Sequence, residues 1–339
     1  MAWLAIWDSS RLIHPTRPIR TPDLSQGMLT FEMRLRADRP VPTIIWQGRT
    51  GTAEDFRVIH YPNGAVSVEH GFFRYETPQH FLPAGDPLSL HYCWDVLGRT
   101  DRLILENCET GDRLVAPVGP QKAPGLSALL PAPMDATVAI DHAGIANHFV
   151  PPVPLPGLAS GALVDTPDGP RRVETLRPGM LVDTARQGPQ PIRWIGRTEP
   201  LARGRTAPIQ MRAPYFGLTS DASVAPNQRI LLGGPDIEYL FGEDHVLARA
   251  GDLVNGRSAR LCMTYPTRLY HHILLDDHDC LIAGRCLLET VLLGDILTAQ
   301  GKSPECLGEA DREAAWPTLD RAAAQSYLAL LGANGRIAA

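Results

Sequence analysis

Residues 157–232 constrain the fold more than any other stretch of this chain. Short runs that alternate apolar and polar side chains, Ala162 to Thr166, Met180 to Thr184 and Pro191 to Gly196, are cut by Pro167-Asp168-Gly169, Arg177-Pro178-Gly179 and Gln187-Gly188-Pro189. A period of two places every second side chain on one face of a strand. Pro and Gly set the backbone angles that reverse the chain between strands. The pattern predicts a β meander.

The same blocks resemble the Hint (Hedgehog/intein) domain in its bacterial form. Gly157-Leu-Ala-Ser-Gly161 opens the segment, Ile192-Arg-Trp194-Ile-Gly196 is similar to the family's IRWIG strand, and Ala225-Pro-Asn-Gln228-Arg229 stands where the family has Ser-Pro-x-His-Arg. Tyr270 to Thr290 is similar to the late YxHxLxDxHxxxxAxGxxES block, with Gly284 one place early and Thr290 for the Ser. The resemblance runs from about 157 to 295 and implies a Hint-like β domain there.

In that family the first residue is a nucleophilic Cys that attacks the carbonyl before it, and a His of the Ser-Pro-x-His-Arg block protonates the leaving nitrogen. The matching positions here are Gly157 and Gln228, with Ala225 for the Ser. Glycine has no side chain to attack with, and an amide cannot deliver a proton near neutral pH. The chemistry the resemblance implies is therefore missing at Gly157, Ala225 and Gln228, while His272 and His278 of the late block are kept. The intein-type His-Asn end is absent near 290–296, which excludes splicing. If only side chains were lost, Gly157→Cys with Gln228→His is expected to return slow, thiol-dependent cleavage. The nearest hydroxyls, Ser160 and Thr166, read as turn and strand residues.

His271, His272, His278 and Cys280 are the densest group of metal-ligand types. His272, His278 and Cys280 are spaced by even numbers, so one unbroken strand would carry them on one face, and imidazole with thiolate suits zinc. We read His272 and His278 instead as hydrogen-bonded structural histidines, and expect neither metal nor cofactor. The six cysteines, Cys93, Cys108, Cys262, Cys280, Cys286 and Cys306, form no CxxC pair and read mostly as free thiols.

Residues 1–148 also read as strands. Leu29 to Arg36 alternates strictly. Thr43 to Trp46 follows, then Phe56 to His60 and Ala65 to Glu69 flank the hairpin turn Pro62-Asn63-Gly64. Leu88 to Asp95, Arg102 to Glu106 and Thr137 to Ile140 complete a sandwich pattern. The order is similar to the laminin-G/concanavalin-like jelly roll. His60, His70, His80 and His91 are scattered through it as surface or core residues. Asp55, Asp86, Asp95 and Asp112 read as turn caps, one of which a calcium site would use.

The expected architecture is all-β: a jelly-roll sandwich over 1–148, a Pro-rich linker over 149–156, a Hint-like domain over 157–295, and a loop (Ser303 to Asp311) and C-terminal helix within 296–339. That helix is read over Thr318 to Leu331, with Thr318 as N-cap and Gly332 as C-cap. Residues 1–156 hold 13 Lys+Arg and 16 Asp+Glu, and the remainder 19 and 21, so neither part is basic and no nucleic-acid partner is expected. No run of 18 apolar residues suggests a transmembrane segment. The N-terminus lacks the charged n-region of a secretory signal, so the expected location is cytoplasmic or exported by a signal-less route.

The function expected is a non-catalytic binding or interaction protein, with a glycan or protein ligand on the sandwich. A second hypothesis is autoprocessing with a non-standard nucleophile, which fragments of the chain would reveal. A third is a metal-dependent hydrolase built on His271 to Cys280, which a stoichiometric metal would reveal.

Overall fold

Residues 2–9, 11–14, 24–36, 40–98, 101–118, 122–132, 137–152, 154–299 and 313–333 are described by a computed structural model. They form two units, residues 1–150 and residues 151–339, each with its own core.

The first unit is a sandwich of two antiparallel sheets. Its strands are β1 (Trp3–Asp8), β2 (Arg11–His14), β3 (Gln26–Leu35), β4 (Thr43–Gln47), β5 (Arg57–His60), β6 (Val66–His70), β7 (Phe73–Glu76), β8 (Pro87–Asp95), β9 (Arg102–Asn107), β10 (Arg113–Pro117) and β11 (Val138–Ala146). The larger sheet runs β10-β9-β8-β3-β11-β1-β2, and the smaller runs β4-β5-β6-β7. The alternation read over Leu29 to Arg36 is the core of β3, which pairs β8 from Gln26 to Arg34 and β11 from Met28 to Leu35. Phe31 of one sheet stacks flat on Trp46 of the other, with centroids 5.0 Å apart, and Trp7 meets Trp46 edge-on. Trp46 is fully buried and its indole N–H donates to the Leu129 carbonyl at 3.0 Å, so its one polar atom is satisfied inside the core.

The sequence pattern missed β1. Trp3-Leu4-Ala5-Ile6-Trp7 is buried at every position, so it shows no alternation of apolar and polar side chains. Asp55, Asp95 and Asp112 accept from neighbouring loop residues, while Asp86 accepts from Asn107 of β9. His60 Nε2 donates to the Leu82 carbonyl, and His70 and His91 bond Tyr92 and Thr30 respectively. His80 lies exposed with a positive φ.

The second unit holds β12 (Leu158–Ala159), β13 (Leu163–Val164), β14 (Arg171–Arg172), β15 (Leu181–Thr184), β16 (Gly188–Pro191), β17 (Trp194–Thr198), β18 (Ile209–Met211), β19 (Ala222–Val224), β20 (Arg229–Gly233), β21 (His245–Arg249), β22 (Ala259–Leu261), β23 (Tyr270–Leu274), β24 (Cys280–Ala283) and β25 (Cys286–Glu289). Two six-stranded antiparallel sheets enclose its core: β17-β23-β12-β19-β18-β22 and β16-β15-β24-β25-β20-β21. The short β12 lies inside the first sheet, between β23 and β19, so the opening of the segment is threaded into the fold. The architecture is all-β, as the turn pattern predicts.

Gly196 explains its place in the IRWIG block. Trp194 folds back over it so closely that a Cβ there would lie 1.9 Å from the indole. Glycine lets the indole lie in that position.

Some local features go beyond or change the sequence reading. A helix, α1 (Pro235–Phe241), lies between β20 and β21; Pro235 opens it and Gly242 closes it in the left-handed conformation. The C-terminal helix, α3, spans Arg321–Ala333, with α2 (Leu293–Ala299) before it. Asp320, not Thr318, caps α3, its Oδ1 accepting from the Ala323 N–H at 2.8 Å. Thr318 is held extended by a bridge to Leu247, and the helix continues past Gly332. Ala324, Tyr327 and Leu328 of α3 join the core of the unit. The loop read over Ser303 to Asp311, and Cys306, lie outside the described residues.

Candidate functional site

The junction where family chemistry would act is buried. Leu155, Pro156 and Gly157 are all shielded from solvent, and the Asn227 side chain donates to the Pro154 carbonyl at 2.7 Å. Pairing of β12 with β23 sets Leu158 opposite His271 and Ala159 opposite Tyr270. That register brings His272 onto the residue before Gly157. Its Nδ1–H donates to the Pro156 carbonyl at 2.6 Å, and its Nε2 accepts from the Thr198 hydroxyl at 2.7 Å. The carbonyl can only accept, so the tautomer follows from the partners.

Gly157 is the second place where glycine is required. A Cβ there would stand 2.7 Å from His272 Nδ1 and 2.8 Å from Cε1. The His272 ring thus occupies the space a nucleophilic side chain would need. The Gly157 carbonyl is itself held by the Ala225 N–H at 2.8 Å.

Gln228 is buried, and its Nε2 donates to the carbonyls of Arg229 and Glu289, both at 2.9 Å. It serves the far sheet. His278 belongs to the same neighbourhood. Its Nδ1 accepts from the Ala315 N–H at 3.0 Å, which leaves the proton on Nε2, and Nε2–H donates to Glu289 at 2.7 Å. Glu289 also takes the Arg229 guanidinium, which reaches Asp295 at 3.3 Å. Burial raises the Asp295 carboxyl above its ordinary range, against the pull of Arg229.

His272, His278 and Cys280 do not share a face. His272 lies on β23 in one sheet, Cys280 opens β24 in the other, and the turn between them ends the period of two that one strand would need. Among the described residues no group of three or more His, Cys, Asp or Glu is placed to hold a metal ion. Thr166 caps its own turn, donating to the Gly169 carbonyl at 2.6 Å. Ser160 is different: its Oγ lies 2.9 Å from His271 Nε2.

A family model described as the Hint domain matches residues 156–295. Residues 156–295 are a Hint domain. No curated protein matches the chain. Among solved structures, the bacterial intein-like domain from Clostridium thermocellum is similar at 11% identity and a TM-score of 0.30, covering 40% of this chain and all of that one. The CBM40 of Ruminococcus gnavus IT-sialidase, bound to α2,3-sialyllactose, is similar at 13% identity and a TM-score of 0.26, covering 38% of this chain and 78% of that one. Leech intramolecular trans-sialidase is similar at 12% identity and a TM-score of 0.26 over 38% of this chain. This chain spans 22% of that enzyme.

Within the Hint domain the thiols are unreactive by environment, with one exception. Burial pushes Cys286 up to about 12 and raises Cys280 as well, whereas a hydrogen bond with Thr264 lowers the half-buried Cys262. Of the described residues no helix is long and apolar enough to cross a membrane.

His272 makes the Hint domain acid-sensitive. Burial lowers its pKa from the ordinary 6.5 to about 4, so it stays neutral when folded and takes a proton near 6.5 when unfolded. Between those values the unfolded chain binds more protons, so stability falls as pH falls, by at most about 1.4 kcal/mol per pH unit. Urea unfolding at pH 7, 6 and 5 should show this slope, and His272→Asn should flatten it. An unchanged slope in the variant would remove His272 as the cause.

Proposed function

We propose that the Hint domain of this chain does not cleave the chain and that the protein works as a binding module. The observation that carries this is the occupation of the junction. The Pro156 carbonyl is engaged by His272, and the His272 ring fills the space that a side chain at 157 would need. A neutral His272 polarises that carbonyl but has no attacking group beside it, and polarisation without a nucleophile breaks no bond. Gln228 and His278 are both engaged in holding Glu289, which gives them structural work in place of proton delivery.

The sandwich is the proposed ligand-binding unit, for a glycan or a protein surface. Among its described residues the most exposed large hydrophobic side chain is Phe72, in the turn between β6 and β7, where an aromatic face is available for stacking.

An intact-mass measurement tests the first part. The chain is expected to stay whole at 37.0 kDa with or without added thiol or hydroxylamine. Fragments meeting between Pro156 and Ser160 overturn the reading. Retention on an immobilised oligosaccharide panel, lost in Phe72→Ala, tests the glycan assignment.

A further inference from the structure

The Hint domain contains a second constellation that its junction does not use. Ser160 follows directly on β12, and His271 stands opposite Leu158 on β23. The register brings the Ser160 hydroxyl to 2.9 Å from His271 Nε2. That is the contact a hydroxyl nucleophile makes with its base. Ser160 is half-buried and lines a cavity of about 300 Å³. Gln210, Asp221, Ser223, Tyr265 and Arg268 line the same cavity, so its wall is largely polar.

Two buried atoms at this place lack partners. Arg268 donates through Nη2 to the Ser160 carbonyl at 3.2 Å, yet its Nε–H has no acceptor. His271 Nδ1 has no partner either. Buried polar atoms are rarely left unpaired, and an unpaired donor beside a nucleophile is the arrangement an oxyanion completes.

We propose that Ser160, with His271 as base and Arg268 as oxyanion donor, is an acyl-accepting nucleophile for short-chain esters of polar alcohols. The hydroxyl oxygen attacks the ester carbonyl carbon while its proton passes to His271 Nε2. The oxyanion is taken up by the Arg268 guanidinium, which lines the cavity and already reaches the Ser160 carbonyl through Nη2. The carbon–oxygen bond to the alcohol breaks, and the alcohol leaves with the proton from His271. Water, deprotonated by the same nitrogen, then releases the acid and restores Ser160. No oxidant or metal enters the balance.

The base is a pair with Ser160 and not part of a triad. For Nε2 to accept, the ring proton sits on Nδ1, where no carboxylate receives it. Glu174, whose charge acts on His271, is held by the Gly161 N–H at 2.8 Å. Slow turnover follows. The pH dependence also follows. Burial lowers the His271 pKa below 6.5, the charges of Arg197 and Arg177 push the same way, and Glu174 opposes them. His271 is therefore neutral and able to accept a proton at pH 7, and acylation should fall only as pH drops below the ordinary histidine range.

The test uses the full chain with a fluorophosphonate probe and p-nitrophenyl acetate. Peptide mapping should place the phosphonyl group on Ser160, and Ser160→Ala should lose labelling and acetate release by about 100-fold or more. The labelling rate should be flat from pH 7 to 8 and fall below pH 6. His271→Gln should match Ser160→Ala when its melting curve shows a folded protein; the mapping on the unaltered chain stands without that variant. Label on Cys262 or Ser223 in place of Ser160, or labelling no faster than in urea-unfolded chain, overturns the assignment. Neither result touches the proposal that the chain stays whole, which the intact mass decides.

Discussion

Glu289→Ala is expected to destabilise the second unit by about 3–5 kcal/mol, the usual cost of removing one partner from a buried ion pair. The Glu289 side chain is fully shielded from solvent and stands between two donors, His278 Nε2–H and the Arg229 guanidinium. Arg229 is itself only 15% exposed, so truncation leaves a largely buried cation with Asp295 at 3.3 Å as its remaining carboxylate and the Thr318 hydroxyl at 3.5 Å. His278 would lose its acceptor while still held by Ala315. Small domains are stable by about 5–15 kcal/mol in total, so such a loss takes a large share of the margin. Glu289→Gln keeps an acceptor for one donor and should cost less. Urea unfolding at pH 7, followed by intrinsic fluorescence, measures both. A loss under about 1 kcal/mol for the alanine variant would show that the network contributes little.

Much of the fold was legible because its signals are local. Proline and glycine clusters ended the runs in residues 157–232, and Pro62-Asn63-Gly64 marked the β5–β6 hairpin. These residues act on their own backbone, so no distant partner is needed to read them. What escaped depended on neighbours. β1 is buried at every position from Trp3 to Trp7 and carries no alternation, and the seven residues of α1 are too few to show a helical period. Thr318 has the chemistry of a cap, but its backbone is paired with Leu247, a contact 71 positions away in the chain that no spacing rule records.

The site was legible in composition and not in connection. Loss of a side chain at 157 and of an imidazole at 228 is plain in the sequence. Which groups replaced them is a matter of register. The pairing of β12 with β23 puts His272 on the Pro156 carbonyl and His271 on Ser160. Neighbouring residues of one strand thus serve two different places, because successive side chains point to opposite faces. The even spacing of His272, His278 and Cys280 suggested one cluster only while the strand was assumed continuous.

The register also reverses the expected outcome of restoring the lost groups. Gly157→Cys with Gln228→His is expected to stay whole in excess thiol and to be less stable than the unaltered chain. A Cβ at 157 stands 2.7 Å from His272 Nδ1, closer than such atoms approach. The ring cannot retreat freely, because Pro156 and Thr198 hold its two nitrogens and it is 1% exposed. Displacing it costs the usual overpacking penalty of about 1–3 kcal/mol and leaves buried polar groups unpaired. At 228 the amide now donates to two carbonyls, of Arg229 and Glu289, and an imidazole in that place must leave one of them without its donor. Ala225→Ser adds a hydroxyl but moves neither ring. Nucleophile and acid act as a unit, so two side chains in displaced positions recover no part of the rate. Intact mass after incubation with thiol, read beside a melting curve for each variant, checks the expectation. A folded double variant that yields fragments meeting at Pro156 and Gly157 would show that His272 gives way and that only side chains, not geometry, had been lost.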